Sequence, residues 1–510
     1  MYVDIVIVNG KCMTMENDGT WDWIAVKDGK IFELGEGHDY MPLVDDPSIV
    51  IDAAGKTVMP GFIDSHFHLV QTAMNEKSVN LNNVKSFEEI GKLIREQEIK
   101  NPGECIFGVR LDNADLKEGV FPDRMVLDKF SNNVPVCINS LDYQVSMLNT
   151  YGLLYYKIPF YMNGVEMDEN GVATGIIRGR ANAALRTDIL NNYSDRKRYT
   201  NVSDIIPKLL EAGITSINDM EGGYMYSDRD AEFIYEHQKD FPIDITLFYQ
   251  CLDLNKVQEK RLTRIGGSMY VDGTMGARTA ALTFEYADCP GEMGSLIFSQ
   301  NELNEFVTEC YLRHLQLSLY TIGDRAIDTA LKAHEYAFYK TGIVGLRHRL
   351  EHVELAGMEH IKKAGELGII FSMNPTYETY WGGPDKMYRK RIGERYKGTN
   401  KFREIIEQGV ILCGGSDSDI CDYNPFTGIH AAVNHPVKEH RIGVEDALKM
   451  YTINGAYAIF EENIKGSLRK GKTADIIVLD RDLSKVKNED LDKVKVECTI
   501  KSGELIFNRL

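Results

Sequence analysis

PGFIDSHFHLV, residues 60–70, is the stretch whose reading decides the fold. An apolar run that ends at His66 reads as a β-strand. Side chains on a strand alternate with period two, so His66 and His68 point the same way. At the C-terminal end of a barrel strand that direction is into the active site. Two neutral imidazoles side by side are costly to bury unless something uses their lone pairs, and a divalent metal does. A bare His-x-His also fits two ordinary polar residues at a strand end. The preceding Pro60-Gly61 and Asp64 favour the metal reading.

Outward from this stretch, short apolar runs alternate with helical segments for some 400 residues. The runs are VMPGFIDSH, VPVCINS, ITSIND, IDITLFYQ, GSMYVDG, LQLSLYTIG, RHRLEHV, GIIFSMNP and GVILCGGSD. Amphipathic stretches such as SFEEIGKLIREQEI and VSDIIPKLLEAG lie between them, the second with Ser203 expected as its N-cap and Gly213 as its end. Strand–helix alternation implies a parallel sheet. The expected class is α/β, a distorted (β/α)₈ TIM-type barrel over 57–459. Nine runs exceed a barrel's eight strands, and the stretch from about 70 to 200 is long for one strand–helix unit. An inserted subdomain or lid is expected there.

The two ends read differently. DIVIVNG stops at Asn9-Gly10, WIAVKDGKIFELG holds a hairpin signal at Asp28-Gly29, and VKVECTIKSGELIF turns at Ser502-Gly503. Residues 1–56 and 460–510 are expected to form one composite β-sandwich domain. Apolar residues make up 43% of the 510, enough for a sizeable core, and the net charge of −18 is a poor match for nucleic acid or an anionic membrane surface. Nine scattered cysteines with no CxxC pair argue against a disulfide framework or a thiolate zinc site and fit a reducing compartment. MYVDIVIVNG has no basic region and no stretch is long enough to span a bilayer, so the expected address is the cytoplasm.

Further candidates lie at other strand ends. Asp417 in CGGSDSD follows the run GVIL, where a carboxylate can ligate a metal and take a proton from water. A turn or N-cap aspartate is the structural alternative, and Asp419 suits that role better. In LRHRLEHVEL, strand phase puts His348 and His352 on one face and Glu351 on the other, with His352 nearer the functional end. Tyr143, Gln144, Arg278, Asn374, Trp381 and Arg389 fall in segments expected at the barrel mouth and are the candidate substrate contacts.

Taken together these residues resemble the amidohydrolase superfamily, in the branch of N-substituted formamide deformylases and related uncharacterised amidohydrolases. The motifs are PGFIDSHFH, GITSINDM (213–220), DGTMGARTAAL (272–282), IGDRAID (322–328), RHRLEH (347–352), GGSDSD (414–419) and NGAYAIF…KGSLRKGKTADIIVLD (454–480), in family order over almost the whole chain. The resemblance implies the barrel, the composite β domain, and a metal-dependent hydrolase of non-peptide C–N bonds in a small molecule. A homodimer is also what the superfamily suggests.

Three positions depart from the family pattern. The family's bridging lysine is Ser268, its histidine before the IGD motif is Tyr320, and a histidine of the insert is replaced by Tyr143 or Gln144. Without a carboxylated lysine between them, two cations would repel with little to offset the repulsion. One divalent ion is therefore expected on His66, His68 and Asp417, zinc first, with iron or manganese as alternatives. Asp417, His352 and Tyr320 are the expected catalytic groups: proton acceptor, substrate-orienting imidazole and hydrogen-bond donor to an oxyanion. The alternatives are a degenerate member that binds a small ligand without hydrolysing it, and a different metal-dependent chemistry on the same fold.

Overall fold

Eight of the nine apolar runs become parallel neighbours in one sheet of the chain, seen in a computed structural model that describes residues 2–16, 19–141, 143–223 and 226–510, with backbone only at Ala114 and Ser268. The strands are β1 (Phe62–Phe67), β2 (Ile214–Glu221), β3 (Asp244–Tyr249), β4 (Arg264–Tyr270), β5 (Gln316–Thr321), β6 (Arg349–His352), β7 (Ile370–Met373) and β8 (Leu412–Gly414). They run in sequence order from β1 to β8. β1, β2, β5, β6, β7 and β8 are buried at every residue, as expected of parallel strands covered on both faces. Helices such as Asp324–Thr341 and Met358–Leu367 connect successive strands.

The sheet closes on itself. Asp417 N–H donates to His66 O at 2.9 Å, His68 N–H donates to Ser418 O at 2.8 Å, and Phe67 bridges Ser418 in parallel. This is a (β/α)₈ barrel of the TIM type with additional sheets. Its seam runs through the histidine pair that the sequence marks out.

The remaining run, VPVCINS, lies elsewhere. Its strand Val136–Ser140 belongs to a six-stranded sheet, whose other strands are Val165–Met167, Ala173–Arg178, Val145–Leu148, Ile106–Leu111 and Val79–Asn80. That sheet and the helix Phe87–Lys100 share an apolar core including Leu81, Ile90, Ile94, Leu127, Val136 and Ile138. They form a unit of Leu69–Ile205 with Glu221–Ile234, while the barrel and both chain ends form the other. Ser203 does not cap a helix. The helix runs from Asp195 to Glu211, and mid-helix the Ser203 hydroxyl donates back to Tyr199 O at 2.7 Å.

Strands from the two ends pair directly. Lys11–Cys12, Thr57–Pro60, Ile476–Leu479, Val496–Lys501 and Glu504–Asn508 make a five-stranded sheet, with Pro60 opposite Ile476. A four-stranded sheet contains Ile5–Val8, Trp23–Lys27, Lys30–Gly35 and Ile49–Asp52. Asp28 and Gly29 both take positive φ, 49° and 75°, the primed turn that their hairpin twist requires. Ile5, Ile24, Val58, Ile476, Val478 and Ile500 pack together as one cluster. All nine cysteines are free. Among the described residues no helix is long and apolar enough to cross a membrane.

Candidate metal centre

β1 delivers His66 and His68 as period two requires. Both imidazoles are buried, at 0% and 1% exposure. Their ring centroids lie 5.3 Å apart. His66 Nε2 and His68 Nε2 are 3.3 and 3.2 Å from one oxygen, Asp417 Oδ1. Asp417 reaches this point from a left-handed backbone, φ 52°, beyond the end of β8. Gly415 permits the approach, because a Cβ there would stand 2.5 Å from His66 N. Asp64, inside β1, accepts from His66 N–H at 3.2 Å and Ser416 N–H at 3.0 Å, tying the two strand ends together. Burial holds the Asp64 carboxyl up at about 6 despite those bonds.

Three imidazoles have fixed tautomers. His66 Nδ1–H donates to Glu351 Oε2 at 2.7 Å, and His68 Nδ1–H donates to Met220 O at 2.6 Å. His352 Nδ1–H donates to Asn374 Oδ1 at 2.8 Å, and Asn374 Nδ2 donates to Gly415 O at 3.2 Å, which orients that amide. In a neutral ring the other nitrogen is then a lone-pair acceptor. His66 Nε2 and His352 Nε2 are buried and make no hydrogen bond. The 3.3 Å contact from His66 to Asp417 is an ion contact rather than a formed hydrogen bond.

An orphaned, buried His66 Nε2 and the His68 Nε2 beside it, both facing one carboxylate oxygen, are the donor set a divalent cation takes. Nitrogen and oxygen ligands, each backed by an outer hydrogen bond, suit zinc as well as iron or manganese. His66, His68 and Asp417 have one ligand atom apiece within 4.8 Å of the others. Burial works to lower the His66 imidazole, but the Asp417 and Glu351 carboxylates beside it outweigh that and hold it up at about 9. That site favours positive charge, which a cation supplies as well as a proton. His352 is pushed the other way, down to about 4, by burial and then by His66. It is a neutral acceptor. Its one N–H is taken by Asn374, so the neutral ring can orient a group at Nε2 only by accepting from it.

The other expected residues divide. Tyr320 packs its ring 4.4 Å from His352 and 4.3 Å from Tyr270. Burial, with Tyr270 and Asp272 behind it, pushes its phenol well above the usual value, so it is a donor and not a phenolate ligand. Trp381 stands edge-on to Tyr377 at 4.4 Å. Asn374 is buried and spends its amide on His352 and on Gly415, just past β8. Arg278 is closed onto Asp288 through Nε and Nη2 at 3.0 and 2.9 Å, and Arg389 pairs with Glu394 at 2.7 Å on the surface. Tyr143 and Gln144 belong to the inserted unit, where the Tyr143 ring lies 4.1 Å under the Arg186 guanidinium. The Ser268 side chain lies outside the described residues.

Two functional-looking groups escape sequence reasoning. Strand phase put Glu351 on the far face, yet it is fully buried against His66 and takes Arg349 Nε at 2.8 Å. His352 reaches the same imidazole, with centroids 4.9 Å apart. Consecutive residues both reach it because β6 breaks at its end: His352 and Val353 have φ of 69° and 49°. Tyr377, whose hydroxyl donates to Asp417 Oδ2, lies between the candidates Asn374 and Trp381, and nothing in its own spacing singles it out. His348, expected on the His352 face, instead stacks on Tyr311 at 4.3 Å.

Comparison with known proteins finds relatives along nearly the whole chain. The chain is 26% identical to the N-substituted formamide deformylase of Arthrobacter pascens, over 99% of this chain and 98% of that one. It is 26% identical to the Protein LONG AFTER FAR-RED 3 of Arabidopsis thaliana, over 93% and 87%. The solved structure of an uncharacterized metal-dependent hydrolase from Pyrococcus furiosus superposes with a TM-score of 0.77 at 26% identity, covering 94% of this chain and 99% of that one. The Amidohydrolase family model matches residues 49–507, and with the barrel and the His66–His68–Asp417 cluster in place the chain belongs to the amidohydrolase family.

Proposed function

We propose that this enzyme hydrolyses a non-peptide C–N bond of a small molecule, an amide, formamide, cyclic amide or deaminable ring, with one divalent cation, zinc first, held by His66, His68 and Asp417. The observation that carries the reading is the convergence of two Nε2 acceptors on Asp417 Oδ1 at 3.3 and 3.2 Å in a buried site. The family supports hydrolysis, and a relative named for formamide deformylation supports the C–N class.

A bound cation would supply Lewis acidity, lowering the pKa of attacking water and polarising the scissile group. The chain's own residues do the rest. Asp417, held well below the ordinary carboxylate range by the His66 and His68 imidazoles against it, which outweigh its burial, is ionised and can accept the water proton. It then passes that proton to the leaving nitrogen. His352 Nε2 orients the water as a second acceptor. Tyr320, protonated and beside His352, donates to the oxyanion that develops. Trp381, packed on Tyr377, is the retained candidate for substrate contact near this centre. The nine free cysteines support a reducing compartment such as the cytoplasm.

Elemental analysis of the purified protein tests this beside a His66→Ala, His68→Ala double variant. The expected result is about one zinc, iron or manganese per chain, lost in the variant. Two ions per chain would overturn the single-ion site. None after reconstitution would overturn the hydrolase reading.

A further inference from the structure

We propose that Tyr377 is a positioning residue that holds the Asp417 carboxylate with Oδ1 alone turned to the histidine pair. The proposal rests on the reading of His66, His68 and Asp417 as a metal site. Tyr377 lies on the short helix Thr376–Trp381 just after β7 and is 5% exposed. Its hydroxyl donates to Asp417 Oδ2, while Asp417 Oδ1 is the atom that faces both imidazoles. Its ring has two ring neighbours. One face lies nearly parallel to His352, 7° between planes at 5.9 Å, and Trp381 abuts it at 4.4 Å. One side chain therefore contacts both groups assigned to the proton and water steps, His352 on β6 and Asp417 beyond β8.

The Asp417 backbone is already fixed by its N–H bond to His66 O, but its carboxylate can still turn about its own bonds. A free carboxylate offers a cation either one oxygen or two. A hydrogen bond that occupies Oδ2 selects the one-oxygen mode. It does not disable Oδ2, because a carboxylate oxygen has about two lone-pair sites. One accepts from Tyr377 and the other remains for the water proton. Losing the hydroxyl frees Oδ2 to turn toward the cation and removes the acceptor the reaction needs.

Cobalt titration of chelator-treated protein tests this without a substrate. The visible bands of Co²⁺ report its coordination number. Tyr377→Phe keeps the stacked ring and deletes only the hydroxyl. The expected result is a changed band shape and intensity, with cobalt bound roughly 10- to 100-fold more weakly, the usual loss for an outer hydrogen-bond partner. Tyr380→Phe, on the same helix but 41% exposed, is expected to match the wild type. Identical spectra and affinity in wild type and Tyr377→Phe would overturn the proposal. Wild type that binds no cobalt would instead overturn the metal-site reading beneath it. X-ray absorption of the cobalt-loaded wild type gives a measurement independent of any variant. A one-oxygen carboxylate keeps its carbon out of the short-distance shell, and a two-oxygen carboxylate brings it in and overturns the proposal.

Discussion

A carboxylate taken fully out of water costs several kcal/mol unless it is paired and hydrogen-bonded. Glu351 meets that demand with Arg349, which donates from Nε at 2.8 Å and Nη2 at 3.0 Å, with the Ser318 hydroxyl and with His66. Arg349 itself is 0% exposed and also donates to Ser372 Oγ at 2.9 Å. Burial pushes the Glu351 carboxyl up, yet Arg349 and His66 together bring it down to about 2. Glu351→Ala leaves the guanidinium buried without its counter-charge. The expected loss is about 3–5 kcal/mol of unfolding free energy. Urea denaturation at neutral pH measures it, and a loss below about 1 kcal/mol would refute the pairing argument. This residue shows where sequence reading stops. Alternation places His66 and His68 correctly because β1 is regular there. It misplaces His352, which it groups with His348, because alternation assumes that the strand continues; the positive φ at His352 and Val353 ends it and turns His352 to the side of Glu351. Nothing in RLEHV announces that kink.

At the scale of the element, the helix Asp324–Thr341 meets β5 and β6 through two buried histidines. His334 and His348 lie 4.9 Å apart, with Tyr311 beside both. Leu317 N–H donates to His348 Nδ1 at 3.0 Å, so that ring carries its proton on Nε2. Burial depresses His334 to about 3, and burial then His334 depress His348 well below its ordinary value. In the unfolded chain both titrate near ~6.5. Below that pH the unfolded chain binds protons that the folded chain refuses. Stability is therefore complete above about 6.5 and falls as pH drops toward about 3, by roughly 1.4 kcal/mol per pH unit for each histidine. His334→Gln is expected to flatten the curve by about that amount per unit, measured by denaturant melts between about pH 6.5 and pH 4.5. An unchanged slope would sink the assignment. The elements themselves were legible as runs of apolar residues bounded by glycine and turn residues. What was not legible is which face of a short strand a histidine takes. His348 precedes β6 and packs outward against this helix, while His352, four residues on, faces the barrel interior.

Across the whole molecule, the candidate metal centre and the closure of the barrel are the same place. β1 and β8 are the first and last strands of the sheet, and the bonds that join them are Asp417 N–H to His66 O and His68 N–H to Ser418 O. Three of the four residues in those bonds, His66, His68 and Asp417, are also the groups proposed to hold the cation. The order of apolar runs announces eight strands, but closure depends on contacts between residues some 350 positions apart, which local pattern cannot report. A ligand shared between two strand ends binds only when both are in register, so it stabilises the closed barrel by mass action. With free metal at about 100 times its dissociation constant the gain is roughly 3 kcal/mol. Removing the cation with a chelator is expected to lower the thermal transition and to speed amide exchange selectively at residues 62–68 and 412–418. Exchange in the six-stranded sheet of the inserted unit, which has its own apolar core, is expected to stay unchanged. Hydrogen–deuterium exchange read by mass spectrometry separates the two regions. A uniform change over both would mean that the cation stabilises the fold without closing the seam, and no change in 62–68 would place the cation elsewhere.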